Sequence, residues 1–292
     1  MKVLVTGAGG QLGRAVLATA PASVELTPQS RADLDVGDER AVESAIACSS
    51  PDVVINAAAY TAVDKAESEA EAAHRVNAVG PGLLAAACRR RGARLIHVST
   101  DFVFDGRSTR PYRPEDPTGP LGVYGATKLE GERRVLRELP EVGTIVRTAW
   151  LYDATGRNFL TTMLRLMSER QMVRVVSDQF GTPTSTDGLA EAIWRTVERG
   201  VTGVHHWTDA GSASWYDFAV AICRTGQSLG ILRSEVRVEP ILTEEYPTPA
   251  KRPAFSVLDK TATWTALGVA GVHWQDALDA TIRSLAHEAT AP

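Results

Sequence analysis

The chain has 292 residues, 44% of them hydrophobic, so it can bury a full core and is long enough for one large domain or two coupled ones. Its formal net charge of −4 supplies no basic surface for a nucleic-acid polymer or an anionic membrane, although a local phosphate pocket is compatible with it. The three cysteines, Cys48, Cys88 and Cys223, are odd in number, far apart and without CxxC or Cys/His ligand spacing. They read as buried thiols in a reducing compartment, which excludes a disulfide scaffold.

The first apolar run, residues 3–5, passes straight into a glycine turn rather than a cleavage site, so no signal peptide is visible. No apolar run reaches the roughly 18 residues of a membrane span. The expectation is a cytoplasmic protein with no membrane partner.

In chain order, short apolar runs at 3–5, 53–55, 95–98 and 144–146 look like strands buried on both faces, the mark of a parallel sheet. Between them, 39–48, 70–91 and 124–139 carry Ala, Leu, Glu and Arg at helical spacing. This βαβ alternation predicts an α/β fold, a Rossmann-type doubly wound parallel sheet over residues 1–150. After Trp150 the pattern loosens into a helix near 158–169, a strand near 173–176, a helix near 187–199 and a strand at 203–207. Pro240, Pro247, Pro249 and Pro253 then exclude a long regular helix, before an amphipathic helix near 273–287. Residues 151–292 are expected to form a smaller substrate-binding domain, interleaved because strands from about 187–207 return to the main sheet. The terminal Ala-Thr-Ala-Pro is expected to fray.

The turn after the first strand reads Thr6-Gly7-Ala8-Gly9-Gly10-Gln11-Leu12-Gly13. Gly7 permits a tight turn, Gly10 lets backbone N–H groups approach a pyrophosphate, and Gly13 lets the helix pack closely on the sheet. The helix N-terminus then faces the phosphates of a dinucleotide. An acid that reads the ribose of NAD is expected about 20 residues further on. Thr27 stands there, taken as the end of the second strand. Arg31 admits two readings, a partner for a 2′-phosphate or a solvated loop charge, while Asp33 and Asp35 can border the adenine or ribose. The balance favours NADPH, with NADH tolerated.

Tyr124 and Lys128 are four residues apart, on one face of the helix that starts there. Alone, such a spacing fits an ordinary surface pair. Here it follows Ser99-Thr100-Asp101, which puts hydroxyls at the carboxyl edge of a central strand, where ligands of open α/β sheets bind. A phenol titrates near pH 10 in water, and a neighbouring ammonium is expected to lower that value. Tyr124 could then protonate a carbonyl oxygen as hydride reaches its carbon, with Thr100 bonded to the same oxygen and Lys128 also holding the nicotinamide ribose. Ser99 and Thr100 also suit a second role, satisfying turn backbone groups.

These residues, with Asn56-Ala57-Ala58-Ala59-Tyr60-Thr61-Ala62-Val63-Asp64-Lys65-Ala66-Glu67, Arg147-Thr148-Ala149-Trp150-Leu151-Tyr152, Asp178-Gln179-Phe180-Gly181-Thr182-Pro183-Thr184 and Pro247-Thr248-Pro249-Ala250-Lys251-Arg252-Pro253, resemble the dTDP-4-dehydrorhamnose reductase family of extended short-chain dehydrogenases. The resemblance covers most of the chain. It implies reduction of the 4-keto group of a dTDP-linked sugar to give dTDP-L-rhamnose, with Thr100, Tyr124 and Lys128 catalytic. It implies a cofactor lined by Gly10, Gln11, Leu12, Asp35, Val36, Ala58, Ala59, Tyr60 and Thr61, and a substrate touched by Asp101 and Trp150. An indole at a strand end is also an ordinary core residue. Lys251 and Arg252, in a proline-bracketed loop, could present two cations to a diphosphate or be a plain solvated pair. Lys65 is a weaker candidate for the same task.

Some members of that family carry a glutamate two residues after the third glycine, where it helps hold magnesium between subunits. This chain has Ala15, which offers no oxygen to a hard cation, so the expectation is no metal site and a monomer or homodimer that is not metal-bridged. Asp187 and Glu191 look like ordinary acids of a helix's first turns, and His205 and His206 like structural residues. Two rivals remain: a non-catalytic NADP-binding regulatory subunit like the methionine adenosyltransferase β subunit, and a nucleotide-sugar epimerase or dehydratase that recycles its cofactor.

Overall fold

The computed structural model describes residues 1–290; Ala291 and Pro292, half of the terminal stretch expected to fray, lie outside the described residues. The first half runs β1 (Lys2–Thr6), α1 (Gln11–Ala18), β2 (Glu25–Gln29), α2 (Glu39–Ser49), β3 (Val53–Asn56), α3 (Val63–Ala66) and α4 (Ala70–His74). A π-helical turn (Arg75–Val79) leads into α5 (Gly80–Arg91), β4 (Arg94–Thr100), a 3-10 turn (Asp101–Val103), α6 (Val123–Glu138) and β5 (Gly143–Thr148). The second half comprises β6 (Leu151–Tyr152), α7 (Phe159–Glu169), β7 (Met172–Val176), β8 (Phe180–Gly181), β9 (Thr184–Ser185) and α8 (Thr186–Arg199). β10 (Gly203–His206), β11 (Ala213–Ser214), α9 (Trp215–Ser228), β12 (Arg237–Ile241), α10 (Thr261–Leu267) and α11 (Trp274–Thr290) complete it.

Six strands form one parallel sheet in the order β10-β5-β4-β3-β1-β2. Its inner strands are apolar on both faces because helices cover both. On β1, Val3 and Val5 pack with Leu12, Val16, Leu189 and Ile193 from α1 and α8. Leu4 faces the other way, into Val42, Ile46, Leu84 and Val135 from α2, α5 and α6. Each such fully buried aliphatic side chain contributes about 1.5–3 kcal/mol. A further core of Tyr152, Leu160, Phe218, Ile222, Trp274 and Ile282 is built from β6, α7, α9 and α11. The strand order reverses between β1 and β3, so the crevice for a ligand opens at their carboxyl ends.

Several expectations need correction. The second strand does not end at Thr27, which pairs with Leu4 in mid-ladder; it ends at Gln29, and its Pro28 is tolerated because β2 is an edge strand. The helix expected over 70–91 is interrupted by the π turn. Pro81 has no N–H to return to Asn77, and the widened turn sets the Asn77 carbonyl so close to Gly131 that a Cβ there would lie 2.1 Å from it. Cys48 is exposed, because α2 buries the Val42 and Ile46 face and Cys48 lies off it; Cys88 and Cys223 are buried. Helix α9 was not anticipated, although Ser214 and Asp217 form a reciprocal capping box at its start. Among the described residues no helix is long and apolar enough to cross a membrane.

Candidate active site

The glycine turn sits at the switch point. Gly7 adopts φ +70°, and a Cβ there would lie 2.6 Å from the Ala58 amide nitrogen, so the loops after β1 and β3 touch backbone to backbone. A Cβ on Gly13 would lie 2.2 Å from the Gly7 carbonyl oxygen. Helix α1 starts from Gly10 with no side chain capping its first N–H groups, which suits them to a phosphate oxygen. The Leu12 side chain is buried in the core, so only its backbone can face a ligand. Gln11 is tied to the second half: its Nε2 donates to the Arg157 carbonyl at 3.1 Å, and its Oε1 accepts from Asn158 at 3.3 Å.

Beyond β2, Asp35 accepts from the Gly37 N–H at 2.9 Å and pairs with Arg75. Burial alone would raise its carboxyl, but the Gly37 N–H and the Arg75 and Arg31 cations hold it below its ordinary range. Arg31 is exposed, and Arg75 adds a second guanidinium that the sequence reading missed. Asp33 is bound to Ser30 through both its N–H (2.9 Å) and its hydroxyl (2.6 Å). Val36 is buried behind this loop. Ala58, Ala59 and Tyr60 line the opposite loop half-buried, and Thr61 is exposed. Buried Asn77 holds that loop, accepting from the Tyr60 N–H at 2.8 Å and donating to the Tyr60 carbonyl at 3.1 Å. The Tyr60 hydroxyl donates to Glu69 at 2.5 Å.

Across the crevice, Thr100 ends β4 and caps the turn that follows, accepting from the Phe102 N–H at 3.2 Å while donating to Asp101 at 3.0 Å. Buried Asp101 has its carboxyl pushed up to about 6, mainly by burial, against hydrogen bonds from Ser256 and Thr100. Helix α6 starts at Gly122, and its first N–H, from Val123, donates to Glu67 at 2.9 Å. Tyr124 is half-buried with its ring edge-on to Phe102 at 5.6 Å, and Gly125 allows the close approach, since a Cβ there would lie 2.1 Å from the Phe102 carbonyl oxygen.

Tyr124 departs from expectation. Its phenol is pushed up to about 12, mainly by burial and also by Asp101, against a hydrogen bond with Thr100. Lys128 does not bring the expected lowering because its side chain is turned to β4, where Nζ donates to the Val98 carbonyl at 2.6 Å and lies 3.3 Å from His97 Nε2. Lys128 is only 2% exposed.

Trp150 and the proline-bracketed loop lie in the second half of the wall. Trp150 has φ +48°, a left-handed backbone that costs a non-glycine residue about 1–3 kcal/mol and clusters at functional sites. Its indole stacks on Trp215 at 3.5 Å with 7° between planes and covers Gly181, where a Cβ would lie 2.5 Å from the ring. Trp215 was not anticipated; the capping box just before it was the available signal. Arg252 is not free for a diphosphate. Its guanidinium is committed to Asp64 at 3.0 and 2.8 Å and to the Thr248 hydroxyl at 2.5 Å. Lys251 beside it is exposed. Ala15 is buried in the core under α8, and among the described residues no cluster of three acids, histidines or cysteines could hold a metal.

The family model for the RmlD substrate binding domain matches residues 1–287. A dTDP-4-dehydrorhamnose reductase from Burkholderia thailandensis is 43% identical over 98% of this chain and 99% of its own. The crystal structure of a dTDP-4-dehydrorhamnose reductase from Clostridium acetobutylicum superimposes with a TM-score of 0.92 at 43% identity, covering 98% of this chain and 99% of that one. A Bacillus anthracis dTDP-4-dehydrorhamnose reductase, solved in complex with NADP, gives 0.90 at 34% identity over 97% of this chain and 99% of its own. With its doubly wound sheet, glycine turn and paired hydroxyls at the end of β4, the chain belongs to the RmlD family, that of the dTDP-4-dehydrorhamnose reductases.

Proposed function

We propose that this chain uses NADPH to reduce the 4-keto group of dTDP-4-dehydro-L-rhamnose, giving dTDP-L-rhamnose. The observation that carries the reading is that the start of α6 packs against the residue two past Thr100, with Tyr124 edge-on to Phe102, so Tyr124 stands beside the carboxyl edge of β4 and Lys128 follows one turn along α6. When bound, the dinucleotide supplies the hydride. Every other requirement falls on the chain's own groups.

The uncapped start of α1 and the glycine backbone suit a pyrophosphate, and Arg31 and Arg75 are the cations available to a 2′-phosphate. Gly7, Gly10, Gln11, Gly13 and the loop of Ala58 to Thr61 complete this wall, and Lys128, held at the Val98 carbonyl in the ligand-free protein, turns to the ribose when the dinucleotide is bound. Thr100 holds the ketone oxygen with Tyr124. A phenol raised to about 12 is fully protonated at neutral pH, the form an acid must start in. Hydride addition turns a weakly basic ketone oxygen into an alkoxide, so the proton moves from Tyr124 Oη to that oxygen as its charge develops. The strained Trp150 stack offers a flat apolar platform to the sugar, and Asp101 a polar edge. Lys251 is the cation left for the diphosphate, while Arg252 shapes the loop that presents it.

The same reading takes the enzyme as a cytoplasmic monomer or homodimer with no bridging metal, since Ala15 points into the core. The test is stoichiometry. Purified protein with the keto sugar should oxidise one NADPH per sugar reduced; product formed without net NADPH loss would mean an epimerase or dehydratase, and no turnover would favour a regulatory subunit.

A further inference from the structure

Asn56 closes β3, His97 stands on β4, and the parallel register sets the two side by side. Both are 0% exposed. A backbone group fixes the orientation of the Asn56 amide. The Ala58 N–H can only donate, and it points at Asn56 Oδ1 from 3.1 Å, where the Thr6 hydroxyl also donates at 2.7 Å. The amide nitrogen therefore faces His97, with Nδ2 3.0 Å from Nδ1. An amide nitrogen donates and does not accept, so Nδ1 must be the bare ring nitrogen. A neutral ring then carries its one proton on Nε2. Burial is the largest influence on His97 and holds it well below its ordinary value, so the ring is neutral whichever form Lys128 takes.

That Nε2–H is directed at Lys128 Nζ, 3.3 Å away. An ammonium has three N–H groups and no acceptor, so it meets this proton donor to donor. A neutral amine fits the same geometry without conflict. One N–H goes to the Val98 carbonyl, the lone pair receives the His97 proton, and one N–H is left over.

We propose that Asn56 locks His97 as its Nε2–H tautomer and that His97, through that N–H, sets the protonation state of Lys128, acting as a positioning residue for the Tyr124–Lys128 pair. Its catalytic consequence rests on the reductase reading above; the tautomer itself does not. The other charged or titratable groups near Nζ are few. Glu132, one turn further along α6, favours the ammonium, but its carboxylate is already bound by Arg147 (2.7 Å) and the Ser99 hydroxyl (2.5 Å). Tyr124 lies one turn before it, with Asp101 beyond Tyr124. Burial outweighs Glu132 and holds Lys128 at about 8, so its proton can leave or return near neutrality.

The ligand-free protein gives the first test. Two-bond proton–nitrogen NMR of the His97 ring, assigned by comparison with His97→Asn, should show Nε2 protonated and Nδ1 bare across the neutral range. A proton on Nδ1, in either the other tautomer or an imidazolium, overturns the proposal whatever the enzyme does. In Asn56→Asp the carboxylate demands a proton from Nδ1, so the Nδ1 signal should change to the protonated form; an unchanged ring overturns the lock. In turnover, His97→Asn keeps an acceptor for Asn56 and withdraws the N–H from Nζ, so the alkaline limb of kcat/KM should move up by about one pH unit. A rate lowered equally at every pH would reduce His97 to a structural role. Should wild-type protein not reduce the keto sugar at all, the reductase reading falls while the NMR result stands by itself.

Discussion

Arg252 and Asp64, 188 positions apart, face each other in a two-pronged ion pair that fastens the Pro247–Pro253 loop to the segment after β3. Both partners are part-exposed, so the pair adds little to global stability, about 1 kcal/mol or less. Its effect is on geometry, because the same guanidinium also holds the Thr248 hydroxyl and the Ala250 carbonyl of its own loop. In a double-mutant cycle of Asp64→Asn and Arg252→Met, KM for the nucleotide sugar should rise several-fold in each single variant and little further in the double. Additive losses would mean that the two residues act separately on the substrate.

Glu132 and Arg147 form a different kind of pair, 2% and 5% exposed, with Ser99, Pro114 and His206 completing the network. Removing one charge strands the other in a dry interior. Glu132→Gln should therefore lower the unfolding free energy by about 3–5 kcal/mol in urea titration, whereas replacing both with apolar residues of similar volume should cost much less. A loss below about 1 kcal/mol in the single variant would contradict the burial assigned to it.

Gly13→Ala tests the glycine turn. Its Cβ would lie 2.2 Å from the Gly7 carbonyl, and both are backbone-borne, so neither can turn aside. Either α1 shifts or the turn opens, and each moves the N–H groups meant for the phosphates. Isothermal titration should show NADPH binding weakened by more than about tenfold, roughly 1.4 kcal/mol. Retained affinity would separate this turn from cofactor binding.

Asp101 gives stability a pH dependence with a definite sign. Its folded carboxyl takes up a proton at about 6 and its unfolded one near 3.8, so the native state binds more protons between those values. Stability from this group is greatest at low pH, falls as pH rises through that window, and stays lower above it. Asp101→Asn should therefore gain stability relative to wild type on going from about pH 4 to about pH 7, by an amount on the order of 2–3 kcal/mol. Buried Asp209, raised to about 7, leaves its own slope in both proteins and cancels in the difference.

The sheet was legible because its strands are apolar on both faces and its glycine turn is spaced for one task. The triad was legible as a spacing, Tyr124 to Lys128, but not as an electrostatic state. Which way an ammonium turns depends on a carbonyl of β4 and on a histidine brought in by cross-strand register. His97 lies in plain view in a strand motif, yet its role needs Asn56 beside it and Ala58 to orient Asn56. Arg252 looked like a phosphate ligand because a charge pair in a loop shows no partner; the partner, Asp64, is remote in sequence. Arg75 and Asn77 were missed for the same reason, since their partners Asp35 and Tyr60 are remote in sequence, whereas Trp215 had a local signal in the Ser214–Asp217 capping box, though its stack on Trp150 had none.

Hydride delivery with proton donation from Tyr124 is the central claim, and isotopic transfer tests it most directly. The sugar is incubated with NADPH deuterated on the transferred position, and the product is read by NMR, for wild type and for Tyr124→Phe. Wild type should place one deuterium on C4 of the product sugar for each NADPH consumed, while Tyr124→Phe binds NADPH normally and forms labelled product at least about a hundredfold more slowly. Product without deuterium at C4, or equal labelling rates in the two proteins, would contradict the account.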